Sequence, residues 1–172
     1  MLKCYIFTTL LFLSSGCGSS NGPAPEEIDL QLILSQRAVS PEGNFTSLDA
    51  VRGKYIGLYF SASWCPPCRA FTPKLIHFRN ELASQFEVVL IGSDRSVREQ
   101  QAYVAESGMP WPALPNQSRP AYKLKELFEV RSIPTLIVLS PEGRVLSIQG
   151  RDDVSRHGLA ALDTWIAKNN KL

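Results

Sequence analysis

The sequence is poor in the residues that build metal centres and disulfide scaffolds. It has four cysteines and two histidines among 172 residues. Cysteine usage this low excludes a small scaffold stapled by several disulfides. A structural zinc site usually needs four ligands, and outside the pair Cys65 and Cys68 the only candidates are Cys4, Cys17, His77 and His157. We therefore expect no metal site, and no chemistry at the two histidines.

Charge of one sign and long apolar runs are also missing. Lys and Arg number 18 against 16 Asp and Glu, a net charge of +2, so no basic footprint for nucleic acid is present. The apolar run Tyr5–Leu13 is too short to span a bilayer. A hydrophobic fraction of 44% is ordinary for a globular core. The length then fits one domain with extensions.

Residues 1–16 are typical of a secretory signal, with Lys3 before the short apolar run. The sequence Leu-Ser-Ser-Gly-Cys over residues 13–17 resembles the bacterial lipoprotein cleavage box, although Ser14 stands where that class prefers Leu. The resemblance implies that Cys17 is lipidated, that residues 17–35 form the anchor and a flexible tether, and that the domain is held in the cell envelope or periplasm. Two alternatives remain: ordinary signal cleavage that releases a secreted protein with a free Cys17, and a buried core strand.

Hydrophobic periodicity predicts an alternation of strands and helices after the tether. Tyr55–Ser61 and Phe86–Gly92 are apolar runs typical of buried strands. Between them, residues 66–85 carry an apolar stripe at helical spacing. The remaining predictions are helices over 97–107, 121–128 and 154–168, strands over 136–140 and 145–148, and an irregular proline-broken segment over 109–115. This order predicts an α/β domain over residues 36–172, with a mixed sheet and helices on both faces.

The chain is organised around Trp-Cys-Pro-Pro-Cys-Arg at residues 64–69, where the first strand leads into the long helix. If Cys65 caps that helix, Pro66 falls in its first turn, where a proline loses no needed hydrogen bond. Cys68 then lies one turn further along the same face, within reach of a disulfide. The free N–H groups of the helix start stabilise a thiolate at Cys65, which predicts Cys65 as nucleophile and Cys68 as resolving thiol. Half of a zinc site and a purely structural disulfide are the competing interpretations.

Several separate motifs agree with one family in order along the chain. They are Tyr59–Arg69, Phe71–Pro73, Met109–Trp111, Ala113–Pro115, Val130–Thr135 and Glu142–Gly143. Together they resemble thioredoxin-fold thiol–disulfide oxidoreductases, and within them the tryparedoxin and nucleoredoxin branch. The resemblance covers about residues 40 to 168. It implies the thioredoxin fold and a redox-active Cys65–Cys68 disulfide, without any other cofactor.

The resemblance also implies roles around the cysteine pair. Pro134 matches the family's cis-proline, beside which the backbone of Ile133 could pair with an extended substrate segment. Trp64 matches the aromatic wall of the site, and Pro66 is expected to contact substrate with it. The alternatives are simple packing for Trp64 and an ordinary trans proline at a strand start for Pro134. For Trp111, by contrast, we expect core or loop packing.

One position departs from thioredoxin itself, which has a buried Asp beneath its cysteines. Tyr59 occupies that place, as is usual for the tryparedoxin-like branch, so proton transfer to Cys68 needs water or another group. The sequence thus predicts a membrane-anchored thiol–disulfide oxidoreductase, by family analogy a reductase. Its expected partners are disulfide-containing proteins and an unidentified thiol donor or acceptor. The competing functions are a polypeptide-binding module with an idle disulfide, and a thiol reductase of the cytochrome c assembly type.

Overall fold

The computed structural model describes residues 25–171 of the chain. Within that range the strands are β1 (Ala38–Val39), β2 (Phe45–Thr46), β3 (Tyr55–Ser61), β4 (Phe86–Gly92), β5 (Thr135–Leu139) and β6 (Val145–Ser147). The helices are α1 (Gln31–Leu34), α2 (Pro66–Glu81), α3 (Val97–Ser107), α4 (Arg119–Leu127), α5 (Gly150–His157) and α6 (Ala160–Asn169), with a 3₁₀ turn at Asp49–Val51. None of these helices is long and apolar enough to cross a bilayer.

The central sheet has the strand order β4-β3-β5-β6. β3 pairs in parallel with β4 and antiparallel with β5, and β5 pairs antiparallel with β6. The parallel pair requires a crossover, and α2 with its apolar stripe supplies one. The predicted mixed sheet is therefore confirmed, and the fold is the thioredoxin fold of the α/β class.

Successive residues of β3 point to opposite faces of the sheet, and each face carries its own core. Tyr59 belongs to the first core cluster, together with residues of α2, α3, α5 and α6. Ile56, Leu58 and Phe60 belong to the second, together with residues of α1 and α4. This alternation explains why helices cover both faces, as the sequence predicted.

The proline-broken segment 109–115 forms no helix or strand, as expected, but it extends the sheet. Ala113 exchanges backbone hydrogen bonds with Val39 at 2.8 and 2.9 Å. On its other side, Leu90 of β4 donates to the carbonyl of Pro112 and accepts from the amide of Leu114, both at 2.9 Å. The short β1–β2 hairpin is thereby joined to the central sheet, and the edge of β4 is covered.

The closing helix predicted over 154–168 is wrong as a single element, because two helices, α5 and α6, occupy the region. They are separated at Gly158, whose φ of +54° a glycine adopts without steric cost. Because of this break, the predicted apolar stripe does not continue along one side of a single helix. Leu162 is buried, whereas Leu159, which the sequence placed on the same side, is 41% exposed.

The ordered domain also begins before residue 36, within the segment assigned to the tether. Val145 donates its N–H to the carbonyl of Glu26 at 2.7 Å, and Ile28 donates to that of Gly143 at 2.9 Å. Ile28 and Ile33 are buried in the core, so hydrophobic burial holds this stretch against the domain. The predicted signal over 1–16 and the predicted lipidation site Cys17 lie outside the described residues.

Candidate active site

The two cysteines of the motif are joined in a disulfide at the start of α2. The S–S distance is 2.14 Å and the Cα–Cα distance is 5.2 Å. Cys65 is the N-cap residue, as predicted, with extended backbone (φ −100°, ψ 103°) and prolines in the first helical turn. Its Sγ accepts the backbone N–H of Cys68 at 3.2 Å. A helix N-terminus places partial positive charge at this sulfur, which favours the thiolate when the bond is reduced.

Both cysteines of the disulfide are buried, and they differ only slightly in exposure. Cys68 is fully buried, while Cys65 is 4% exposed. The Sγ of Cys65 also lies 3.7 Å from the carbonyl oxygen of Ile133, on the loop before β5. The peptide bond between Ile133 and Pro134 is cis. The structure therefore brings Ile133 against Cys65. The alternative that Pro134 is an ordinary trans proline at a strand start is wrong.

Trp64 stands at the rim of the site rather than in the core. It is 52% exposed, and its indole N–H donates to the carbonyl of Ser93 at 3.1 Å. The Trp64 ring is therefore not buried in the core. Pro66 is exposed next to it. Trp111, in contrast, is fully buried and meets the Tyr59 ring edge-to-face at 6.4 Å, as its predicted packing role requires.

The loop that carries Trp64 is held by a buried carboxylate that sequence reasoning missed. Asp94 lies two residues beyond the end of β4 and is 2% exposed. Its Oδ1 accepts the backbone N–H of Ser63 at 2.8 Å, and its own carbonyl accepts from Asn116 Nδ2 at 3.0 Å. The signal was available in principle, because the carboxyl ends of parallel strands meet at one edge of a sheet, and β3 and β4 both end here.

A group of buried hydroxyls lies behind Cys68, and the sequence identified only one of them, that of Tyr59. The Tyr59 hydroxyl donates to the carbonyl of Cys68 at 3.2 Å and lies 3.0 Å from Thr72 Oγ1. Tyr103 and Ser61 continue this set of buried hydroxyls. Burial, and then the neighbouring Tyr103, raise the pKa of the Tyr59 phenol above its ordinary value. Tyr59 was singled out from the sequence, but its partners on α2 and α3 were not.

Within residues 25–171 no three His, Cys, Asp or Glu side chains stand close enough together to hold an ion. Both His77 and His157 are exposed. The donor set of the site is two sulfurs, and what they can do chemically is exchange thiols and disulfides.

A C-x-x-C disulfide that caps a helix, opposite a cis-proline on a mixed sheet, defines the thiol–disulfide centre of the thioredoxin fold. The comparison with known families agrees, because a thioredoxin-like family model matches residues 53–145. The chain belongs to the thioredoxin-like family.

The chain is similar to nucleoredoxins in sequence. It is 41% identical to a probable nucleoredoxin 3 of Oryza sativa subsp. japonica over 127 residues, which are 72% of this chain and 26% of that protein. With the nucleoredoxin of Mus musculus the identity is 36% over 138 residues, 77% of this chain and 30% of the relative. The chain thus spans about a quarter to a third of the length of the curated relatives it matches.

Solved structures of single-domain size are similar over nearly their whole length. A thioredoxin from Wuchereria bancrofti is 38% identical with a TM-score of 0.67, covering 78% of this chain and 97% of that one. A tryparedoxin from Trypanosoma brucei is 38% identical with a TM-score of 0.68, covering 77% of this chain and 93% of that one. The tryparedoxin and nucleoredoxin branch inferred from the sequence is therefore supported.

Proposed function

We propose that this protein is a protein-disulfide reductase of the cell envelope that cycles Cys65 and Cys68 between dithiol and disulfide. The observation that carries the proposal is the position of Cys65 Sγ at the N-terminus of α2, where it accepts the N–H of Cys68 at 3.2 Å. This arrangement favours a thiolate at the sulfur that substrate reaches first. A thiolate, rather than a thiol, is the species that attacks disulfides.

The reaction has two exchange steps. The Cys65 thiolate attacks one sulfur of a substrate disulfide, forms a Cys65–substrate bond and releases the other substrate sulfur, which takes up a proton. Cys68, after losing its proton, then attacks Cys65 Sγ, closes the Cys65–Cys68 disulfide and releases the second substrate thiol. A thiol donor of unidentified chemistry returns the pair to the dithiol.

The surroundings of Cys65 fit an extended polypeptide as substrate. The N–H of Ile133 makes no hydrogen bond within the part of the chain that the structure describes, and its carbonyl lies beside Cys65. An extended segment can therefore pair with this backbone as an added strand. Trp64 and Pro66 are the residues on either side of Cys65 in the chain, and both expose apolar surface, which supports a role in contacting substrate.

Replacing Cys65 with Ser tests the enzymatic proposal. We expect reduction of insulin disulfides by a dithiol donor to fall to the uncatalysed rate in this variant, with Cys17→Ser, which removes a cysteine outside the C-x-x-C pair, as the matched control. Activity that persists contradicts the proposal. If the Cys65–Cys68 pair of the wild type resists reduction and thiol titration finds it permanently oxidised, the protein is a polypeptide-binding module instead.

Direction and location belong to the same proposal. We expect the reduction potential of the Cys65–Cys68 pair to be low enough for the dithiol to reduce protein disulfides. Trapping on a Cys68→Ser variant should capture protein substrates as mixed disulfides. Cytochrome c precursors among the trapped partners would point to the assembly-type reductase.

The lipoprotein-like leader supports anchoring through Cys17, so the Cys17→Ser variant should lose acyl labelling and move from the membrane to the soluble fraction. A protein secreted after ordinary cleavage would not respond to this change.

A further inference from the structure

Four buried hydroxyl groups form a connected chain behind the resolving cysteine. Thr72 Oγ1 lies 2.9 Å from the carbonyl oxygen of Cys68 and 2.9 Å from the hydroxyl of Tyr103. Ser61 Oγ lies 3.0 Å from the same Tyr103 hydroxyl, and the Tyr59 hydroxyl reaches both Thr72 and the Cys68 carbonyl. The chain joins β3, α2 and α3 at one point, the first turn of the helix that carries the site.

The protons of this chain have a defined direction. A hydroxyl has a single proton, and the carbonyl of Cys68 can only accept. When Thr72 donates to that carbonyl, Tyr103 must donate to Thr72, and Ser61 must in turn donate to Tyr103. Tyr59 donates to the same carbonyl, so its 3.0 Å approach to Thr72 Oγ1 is a contact without a shared proton in this arrangement. The protons therefore point toward the backbone of Cys68, and chains aligned in this way strengthen each bond.

No charged group takes part in this chain. Within residues 25–171 none of the four hydroxyls is hydrogen-bonded to a carboxylate or a cation. Because burial raises the pKa of Tyr59, that phenol stays protonated at neutral pH. The four hydroxyl groups thus hold the Cys68 backbone in position without adding a charge beside the sulfur.

We propose that Tyr103, acting through Thr72, is a positioning residue that holds Cys68 for the step in which it resolves the mixed disulfide. The inference deepens the proposed function and rests on it. In the resting protein the Cys65–Cys68 bond itself ties the two residues together. Once Cys65 is bonded to substrate, that tie is gone, and the hydroxyl chain then helps α2 and the surrounding packing to keep Cys68 aimed at Cys65 Sγ.

The resolving step balances within this description. Cys68 loses its proton, its sulfur bonds to Cys65 Sγ, and the bond between Cys65 and the substrate sulfur breaks. The departing substrate sulfur keeps the electron pair and takes up a proton, so a thiol leaves. No other oxidant or reductant is needed, and the four hydroxyls are unchanged at the end.

The two steps can be timed separately with 5,5′-dithiobis(2-nitrobenzoate), using reduced protein in excess. Attack by Cys65 releases one coloured thiolate, and resolution by Cys68 releases the second. Removing a buried hydrogen-bond partner leaves its neighbours unsatisfied, so we expect Tyr103→Phe and Thr72→Val to slow the second release by about tenfold. The rate of the first release should change less than about twofold, because neither variant removes the Cys68 N–H that faces Cys65 Sγ.

Matched variants separate positioning from general damage. Thr72→Ser keeps the hydroxyl and should restore a normal second release, whereas the similarly sized Thr72→Val does not. Tyr55→Phe, at the far end of β3, removes a tyrosine hydroxyl away from the site and should leave both releases unchanged.

An unchanged second release in Tyr103→Phe and Thr72→Val overturns the inference, and so does an equal slowing of both releases. If the wild-type protein shows no first release, the proposed function itself fails, which is a distinct result. The Thr72 pair keeps the test decisive even if Tyr103→Phe does not fold.

Discussion

Replacement of Asp94 by Ala tests how the loop in front of the disulfide is held. Asp94 lies one residue beyond Ser93, whose carbonyl accepts the Trp64 indole N–H. Its own Oδ1 accepts the N–H of Ser63 at 2.8 Å. A single carboxylate at the end of β4 thus fixes the backbone one residue before Trp64 and two before Cys65. Alanine removes this acceptor without adding bulk.

The cost can be worked out from this geometry. A hydrogen bond to a charged group contributes about 1.5–3 kcal/mol. Ser63 is only half-buried, so water can replace part of the lost bond, and we expect a loss of about 1.5 kcal/mol in the free energy of unfolding. For a chain of this size that corresponds to a fall in Tm of about 3–6 °C. Trp64 and Cys65 should also become less well placed, which lowers the rate at which reduced Cys65 attacks a protein disulfide.

Asp94→Asn is the matched control, because the amide keeps an oxygen that can accept from Ser63. It also removes a buried charge whose second oxygen, Oδ2, has no partner within residues 25–171. We therefore expect Asp94→Asn to recover at least half of the stability that Asp94→Ala loses, as measured by urea unfolding of the oxidised proteins. If alanine and asparagine are equally destabilising, or if alanine costs nothing, the Ser63 hydrogen bond does not hold the loop.

Three further changes probe the framework behind the site. Arg79→Met leaves the buried carboxylate of Glu87 without its paired bonds at 2.8 and 2.5 Å and should cost about 2–4 kcal/mol in urea unfolding, since Arg79 is partly exposed; full stability in this variant would refute the pairing argument. In Gly150→Ala the new Cβ would meet the Leu136 carbonyl at 2.9 Å, so overpacking should cost about 1–3 kcal/mol, and no change in Tm would mean that α5 can shift away. Because burial raises the folded-state pKa of Tyr59 above its ordinary 10.0, stability should be intact below that pH and decline as pH rises above it. Tyr59→Phe should flatten this decline in urea titrations between about pH 9 and 11, and parallel curves for the two proteins would contradict it.

The elements that position the disulfide were predictable because their signals are local. The apolar runs of β3 and β4 are buried on both faces, as parallel strands in such folds are. The C-x-x-C pair and the cap at Cys65 lie within four residues, so helix geometry alone brings the sulfurs together. Periodicity was insufficient at the C-terminus, where helical spacing continues across the break at Gly158.

Long-range pairing explains most of what the sequence did not predict. Ile28 joins the domain through the turn at Gly143, more than a hundred residues away, and no local pattern marks that partnership. Asp94 and Tyr103 reach the site from the end of β4 and from α3. A single buried Asp or Tyr in such a segment is not marked by any hydrophobic periodicity in the sequence. Ile133 and Pro134 were identified through the family resemblance and not from the pattern of residues around them.

The two sulfurs of this site differ because the chain surrounds each from a different side. Cys65 stands before the first helical turn, so it meets an amide N–H in front, the Ile133 carbonyl beside it and the half-exposed Trp64 at the rim. Cys68 stands inside the turn, with its carbonyl facing neutral hydroxyls on the core side. Cys65 has 4% of its surface exposed and Cys68 none, so in the proposed reaction the first attack is assigned to Cys65 and the resolving step to Cys68. The order of the two proposed steps therefore follows from the three-residue offset between the cysteines at the helix start.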